Sequence, residues 1–303
     1  MSTAAQVVLT VLGAVTVAAV LRDIFLTIFH PSGQGRVATA VLRGTWAVTG
    51  LRDGRLRRVS GPAGLVLVIV AWTGGTALGW SLVYLPHVPE GLSYGPTLLS
   101  DLRSQVVDAA YFSLVTLATL GYGDLVPQQA WLRLVAPLQA LTGFALITAA
   151  VSWVQQVYPA LGRRRALAVR LDGLRSCAAA DRVARLEGTA ALGLLEPLSG
   201  ELARVQVDLV QHPESYFFQD ATDDESLAAT VGYVPALARA ARHAPAEETR
   251  LAGELLERSA DGLARALVDQ GLLRRHVEGT GEDGAVAARD VFRAYAVDHG
   301  RAG

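Results

Sequence analysis

Thr119-Leu120-Gly121-Tyr122-Gly123-Asp124 is the stretch around which the rest of this chain is arranged. Two glycines alternate with larger residues. An ordinary strand sends its carbonyls alternately to one side and the other. Aiming consecutive carbonyls at one axis needs alternating backbone handedness, and glycine is the residue that takes positive φ cheaply. The run just before it, Tyr111-Phe112-Ser113-Leu114-Val115-Thr116-Leu117-Ala118, carries no charge and reads as a short apolar helix. On a soluble surface a Gly-Tyr-Gly-Asp string is a turn. Here apolar segments of membrane-spanning length lie on both sides, and irregular backbone at that depth is tolerated only against protein or water.

With these flanks the stretch resembles the pore helix and selectivity filter of bacterial potassium channels of the two-transmembrane, pore-loop family. Leu120 stands where valine is usual, a conservative change. The resemblance covers about Gly64 to Tyr158. It implies a tetramer, because one chain supplies one wall of the pore and the motif occurs once. It implies that carbonyls of Thr119, Leu120, Gly121 and Tyr122 replace the water shell of a potassium ion, with Gly123 closing the filter. Thr119 adds its hydroxyl oxygen. Tyr122 points away from the axis and anchors the filter wall. Tyr111, Phe112, Thr116 and Asp124 support it, Tyr111 and Phe112 packing beside Tyr122. In one arrangement known in the family a pore-helix Glu pairs with the Asp after the filter; Val115 occupies that position here, and resemblance to the aromatic donor often found there implies the Tyr111 hydroxyl as the partner of Asp124. Gly143 falls where inner helices of this kind carry a hinge glycine, and close packing behind the filter is the equal alternative. Pore-helix C-termini aim partial negative charge at the cavity.

The 303 residues are 51% hydrophobic and 18% charged, with a mean hydropathy of +0.32. That balance fits a membrane half joined to a soluble half. Cys177 is the single cysteine, which excludes an intrachain disulfide and argues against a cysteine metal site. The segment Ala4–Phe29 is long enough to span and lacks preceding basic residues, so it reads as a retained anchor. Arg22 and Asp23, near its end, are expected at the interface or paired with another helix. After the break at residues 30–35, Arg36–Leu51 repeats apolar residues at helical spacing. It reads as an interfacial amphipathic helix with Trp46 as a headgroup anchor, or else as a fourth short span. The basic cluster Arg52–Arg58 precedes the second span, Gly64–Leu85, whose Gly75 and Gly79 would let another helix approach closely. Pro86–Val107 reads as an outer loop, with a helical part possible over 98–107. Trp131–Tyr158 is the third span, interrupted at Pro137 and Gly143. Arg163-Arg164-Arg165 ends it and, with Arg52–Arg58, marks the cytoplasmic side.

From Ala166 onward the pattern is helical and soluble in character. Helices are expected at about 166–180, 181–195, 200–210, 226–243, 245–270 and 284–297. Residues 211–218, with Tyr216, Phe217 and Phe218, break the pattern as a packed inter-helix loop, or else as a contact with the membrane-facing part or a neighbouring subunit. Gly279-Thr280-Gly281-Glu282-Asp283-Gly284 matches a dinucleotide fingerprint literally, but no strand–helix alternation surrounds it, so it reads as a loop. The six histidines include no i, i+4 pair, and no catalytic context is evident.

The expectation is therefore an all-α membrane protein: outer helix, pore helix, filter and inner helix in a tetramer, with an α-helical cytoplasmic C-terminal domain. Its parts are residues 1–35 (anchor), 36–63 (interfacial helix and linker), 64–160 (pore) and 161–303 (cytoplasmic domain). The expected function is passive, potassium-selective conduction by a homotetramer in the cell membrane. It is not an enzyme, takes no cofactor beyond the permeant ion and binds no nucleic acid; the ligand of the C-terminal domain is open. The alternatives are a less selective cation channel and a membrane receptor or scaffold with a silent pore.

Overall fold

The computed structural model describes residues 2–30, 35–50, 57–95, 104–273 and 287–301. The glycine-rich stretch 279–284 and most of the basic cluster 52–58 lie outside them. The chain divides into two compact units: residues 1–41 with 65–154, and residues 42–64 with 155–303. The helix expected at 36–51 is thus shared between them.

In the first unit, helix α1 (Thr3–Ile28) and helix α3 (Ser60–Tyr84) are apolar and long enough to cross a membrane, as is α5 (Ala130–Ser176). Helix α2 (Arg36–Gly50) is not among the spanning helices. Glycines let α1 and α3 approach closely. A Cβ at Gly79 would lie 3.0 Å from the Gly13 carbonyl oxygen, and one at Gly13 would lie 2.8 Å from the Val83 nitrogen. The partner of the Gly75/Gly79 face is therefore α1. Asp23 does not reach out to water. It is buried and accepts from the Val37 and Ala38 amides at the start of α2 (2.9 and 3.3 Å) and from the Trp72 indole (2.9 Å). A carboxylate at a helix N-terminus meets unpaired amides and the positive end of the helix dipole.

Helix α5 runs unbroken through Pro137, Gly143 and Pro159 for 47 residues, so the expected interruptions do not occur. The outer loop holds an element the sequence reading lacked. Strand β1 (Leu92–Tyr94) pairs antiparallel with β2 (Leu125–Pro127), in the register Leu92↔Pro127, Ser93↔Val126, Tyr94↔Leu125. Between them lies α4 (Gln105–Leu117). Tyr84, Val88, Leu92, Phe112, Leu125 and Leu132 form the core of this region.

The second unit is helical. The expected helix at 166–180 is the end of α5. The segments expected at 181–195 and 200–210 regroup as short α6 (Ala179–Arg182), a 3₁₀ turn, and one long α7 (Gly188–Gln211) with Pro197 inside it. The expected helix at 226–243 is split into α8 (Leu227–Thr230), a 3₁₀ turn and α9 (Val234–Arg242). Pro235 opens α9, where the missing amide costs nothing. Helix α10 (Glu247–Asp269) packs on α7 and α9, and α11 (Ala288–Asp298) packs on α10.

One expectation is corrected in this unit. Trp46 is not a lipid-facing anchor. It is buried, with ring contacts to Tyr216, Phe217 and His299, and its indole donates to Asp298 at 3.2 Å. Arg163–Arg165 are engaged in ion pairs within this unit. Arg163 grips Asp208 with two 2.7 Å bonds. Buried Arg164 donates to the Ser215 and Phe218 carbonyls and pairs with Asp220, which Arg165 also contacts. The aromatic stretch 211–218 folds as a buried 3₁₀ turn, Pro213–Phe217, around that arginine.

Candidate functional site

Helix α4 ends at Ala118, and the chain turns back on it at once. The Thr119 amide donates to Thr116 O at 3.0 Å and the Leu120 amide to Val115 O at 2.9 Å. Beyond that point the backbone alternates. Thr119, Gly121 and Gly123 sit in the left-handed region at φ +56, +55 and +78°, whereas Leu120 and Tyr122 do not. Such alternation turns successive peptide planes so that their carbonyls share a side. Sequence accounted for two of the three left-handed residues. Thr119 was missed, because a β-branched residue at positive φ is strained and nothing in its identity announces the conformation. The two turn bonds from the end of α4 hold it there.

After the loop, Asp124 is fastened from three directions. The Tyr111 hydroxyl donates to Oδ2 at 2.6 Å, the Leu125 amide donates to Oδ1 at 3.1 Å, and the Gly95 amide donates to the Asp124 carbonyl at 2.7 Å. The last bond continues the β1–β2 ladder, so the ladder locks the exit of the loop as α4 locks its entrance. Val115 is buried in the α4 core face. Phe112 lies edge-on to Tyr84, with ring centroids 4.8 Å apart, and joins the core of this region. Thr116 faces a groove of about 510 Å³ that Thr119, Gly121, Gly123 and Arg133 also line.

Leu120 and Tyr122 are 56% and 67% exposed on the single chain. They do not pack into their own chain's core. Gly143 lies against the end of α4: a Cβ there would overlap the Leu117 carbonyl oxygen. The sequence reading also passed over Gln139 and Ser113. Both are fully buried and bonded to each other. The available signal was an amide side chain amid the apolar residues 134–151, since polar groups at that depth are costly.

Comparison with known proteins finds similarity over part of the chain. The model of the family described as "Ion channel" matches residues 66–158. The chain is 28% identical over 159 residues to the uncharacterized membrane protein YdjJ of Bacillus subtilis (strain 168), covering 50% of this chain and 44% of that one. It is 43% identical over 74 residues to two-pore potassium channel 5 of Arabidopsis thaliana (24% and 18% of the two chains) and 50% identical over 44 residues to two-pore potassium channel 1 of the same plant (14% and 12%). The chain spans less than half the length of these relatives. No solved structure matches it significantly. Residues 66–158 of this all-α membrane protein are thus similar to the ion channel family.

Proposed function

We propose that four copies of the chain surround one axis and conduct potassium ions passively, with Thr119–Gly123 of each copy forming a wall of the selectivity filter. The observation that carries this reading is the alternation of backbone handedness at Thr119, Gly121 and Gly123. A chain so wound offers the carbonyls of Thr119, Leu120, Gly121 and Tyr122 to one side, in place of the water an entering ion gives up. The exposure of Leu120 and Tyr122 supports a multimer, because hydrocarbon does not tolerate an uncovered irregular loop and neighbouring copies would cover it. Similarity to proteins named as potassium channels supports the choice of ion. In this reading the helical unit from residue 155 onward lies in the cytoplasm of a cell whose plasma membrane holds the pore.

The test is potassium flux from purified protein in liposomes. Gly121 holds φ +55°, where an L side chain costs roughly 1–2 kcal/mol, and the penalty recurs in every copy. Gly121→Ala should abolish flux while the oligomer still assembles. Unaltered flux in that variant refutes the filter assignment.

A further inference from the structure

Gln139, on α5, is wholly buried and lies beside the middle of α4. Its Nε2 donates to the Ser113 carbonyl oxygen at 2.9 Å and to Ser113 Oγ at 3.0 Å. Ser113 Oγ in turn donates to the Ala77 carbonyl oxygen on α3 at 2.8 Å. Three helices therefore meet at one polar knot in an otherwise apolar region. The direction of each bond follows from chemistry. A carbonyl only accepts, and the single hydroxyl proton of Ser113 is used on Ala77, so both atoms facing Gln139 are acceptors and its amide must present the NH₂ group.

The knot has a second point one turn along. Gly143 follows Gln139 by four residues and Leu117 follows Ser113 by four. Gly143 has no room for a Cβ against the Leu117 carbonyl. The two helices therefore touch along one shared turn, bonded at 139–113 and notched at 143–117. Thr119 comes two residues after Leu117, so whatever fixes this turn fixes where the left-handed alternation begins.

We propose that Gln139 is a positioning residue that seats the last turn of α4 on α5 and thereby sets the geometry with which the chain enters Thr119–Gly123. Its consequence for ions rests on the channel reading above; the seating itself does not. A hydrocarbon side chain at 139 fills the same space and leaves the Ser113–Ala77 bond in place, but it cannot hold the Ser113 carbonyl. A protonated glutamic acid can donate one bond to that carbonyl, and an ionised one cannot. Burial raises a carboxyl's pKa, so Gln139→Glu should switch between the two behaviours above the ordinary glutamate range.

The experiment uses the full chain in liposomes as wild type, Gln139→Leu and Gln139→Glu. Amide hydrogen exchange at Thr119 and Leu120, whose N–H groups close the turn at the end of α4, is read as a ratio to wild type at each pH. Potassium-over-sodium selectivity is read from bi-ionic potentials. Gln139→Leu should exchange roughly tenfold faster at both amides, one hydrogen bond's worth, and lose selectivity. Gln139→Glu should match wild type at low pH and Gln139→Leu at high pH, a reversal that a merely space-filling role would not produce. Should Gln139→Leu fail to assemble, the pH series within Gln139→Glu decides alone. Exchange indifferent to residue 139 at every pH overturns the seating. Exchange that responds in a protein that never conducts supports the seating and sinks the channel reading instead.

Discussion

Gly143→Ala separates two roles for one glycine. If Gly143 is a hinge, alanine stiffens α5 without penalty in the closed-packed state, and the folded protein gains the usual preference of alanine over glycine in a helix, about 0.5–1 kcal/mol. If it is a notch, the new methyl meets the Leu117 carbonyl oxygen, with the Leu117 carbonyl carbon 2.9 Å away and Leu117 Cδ1 3.2 Å away. The side-chain carbon can turn aside, but the backbone atoms cannot without moving the end of α4. Overpacking of that kind costs about 1–3 kcal/mol. Because the obstacle is backbone, the upper half of that range applies, and the net loss should be about 1–2 kcal/mol per chain after the helix gain is subtracted. The same helix supplies the control. A Cβ at Gly162 or Gly173 meets nothing within 4 Å, so Gly162→Ala and Gly173→Ala carry only the helix gain. Thermal unfolding of the purified protein should place Gly143→Ala several degrees below wild type, at roughly 2–4 °C per kcal/mol, and the two controls at or above it. Gly143→Ala melting together with the controls would refute the notch.

Tyr111→Phe removes the hydroxyl bonded to Asp124 Oδ2 while two backbone amides still hold that residue. A bond to a charged acceptor contributes about 1.5–3 kcal/mol; the loss should lie at the low end and show as flux that decays faster, and unchanged decay would remove Tyr111 from the support. Arg164→Met leaves buried Asp220 with Arg165 alone and the Ser215 and Phe218 carbonyls without their donor; breaking a buried pair costs about 3–5 kcal/mol, and with Arg165 remaining the loss should lie near the low end, so the unfolding midpoint of the helical unit should fall by several degrees, and a midpoint within a degree of wild type would contradict the pairing. Burial, and then the charges of Arg164, Arg57 and Arg301, hold the His299 imidazole well below its ordinary range. The unfolded chain therefore binds a proton that the folded unit refuses. Stability should be full above about pH 6.5 and fall by about 1.4 kcal/mol per pH unit below it. Thermal midpoints measured from pH 7.5 to 5 should decline in wild type and flatten in His299→Gln; equal slopes would exclude His299 as the cause.

The loop at Thr119–Asp124 and the apolar helices around it were legible because their signals are local. Glycine's freedom at positive φ, the uncharged run ahead of Thr119 and the apolar lengths of α1, α3 and α5 are all properties of contiguous residues, and a membrane leaves few structures in which such runs can be used. The bond between Tyr111 and Asp124 was also foreseeable, through resemblance to the aromatic donor often found at that place in the family. Trp46 shows the limit. An amphipathic helix with a tryptophan has one meaning beside lipid and another beside Tyr216 and His299, and the residues that decide lie some 170 to 250 positions further along the chain.

The same holds for the pieces that arrange the loop. Composition and spacing established that this chain crosses a membrane, carries one filter-like loop and continues into helices. Only the folded chain decided that β1 clamps Asp124, that Thr119 takes a left-handed turn, that Asp23 caps α2, and that Gln139 and Gly143 bear on α4. The physical reason is one of range. Backbone preference and hydropathy act over a few residues and are written in their order, whereas hydrogen bonds and steric exclusion between helices depend on which distant atoms the tertiary structure brings within about 3 Å.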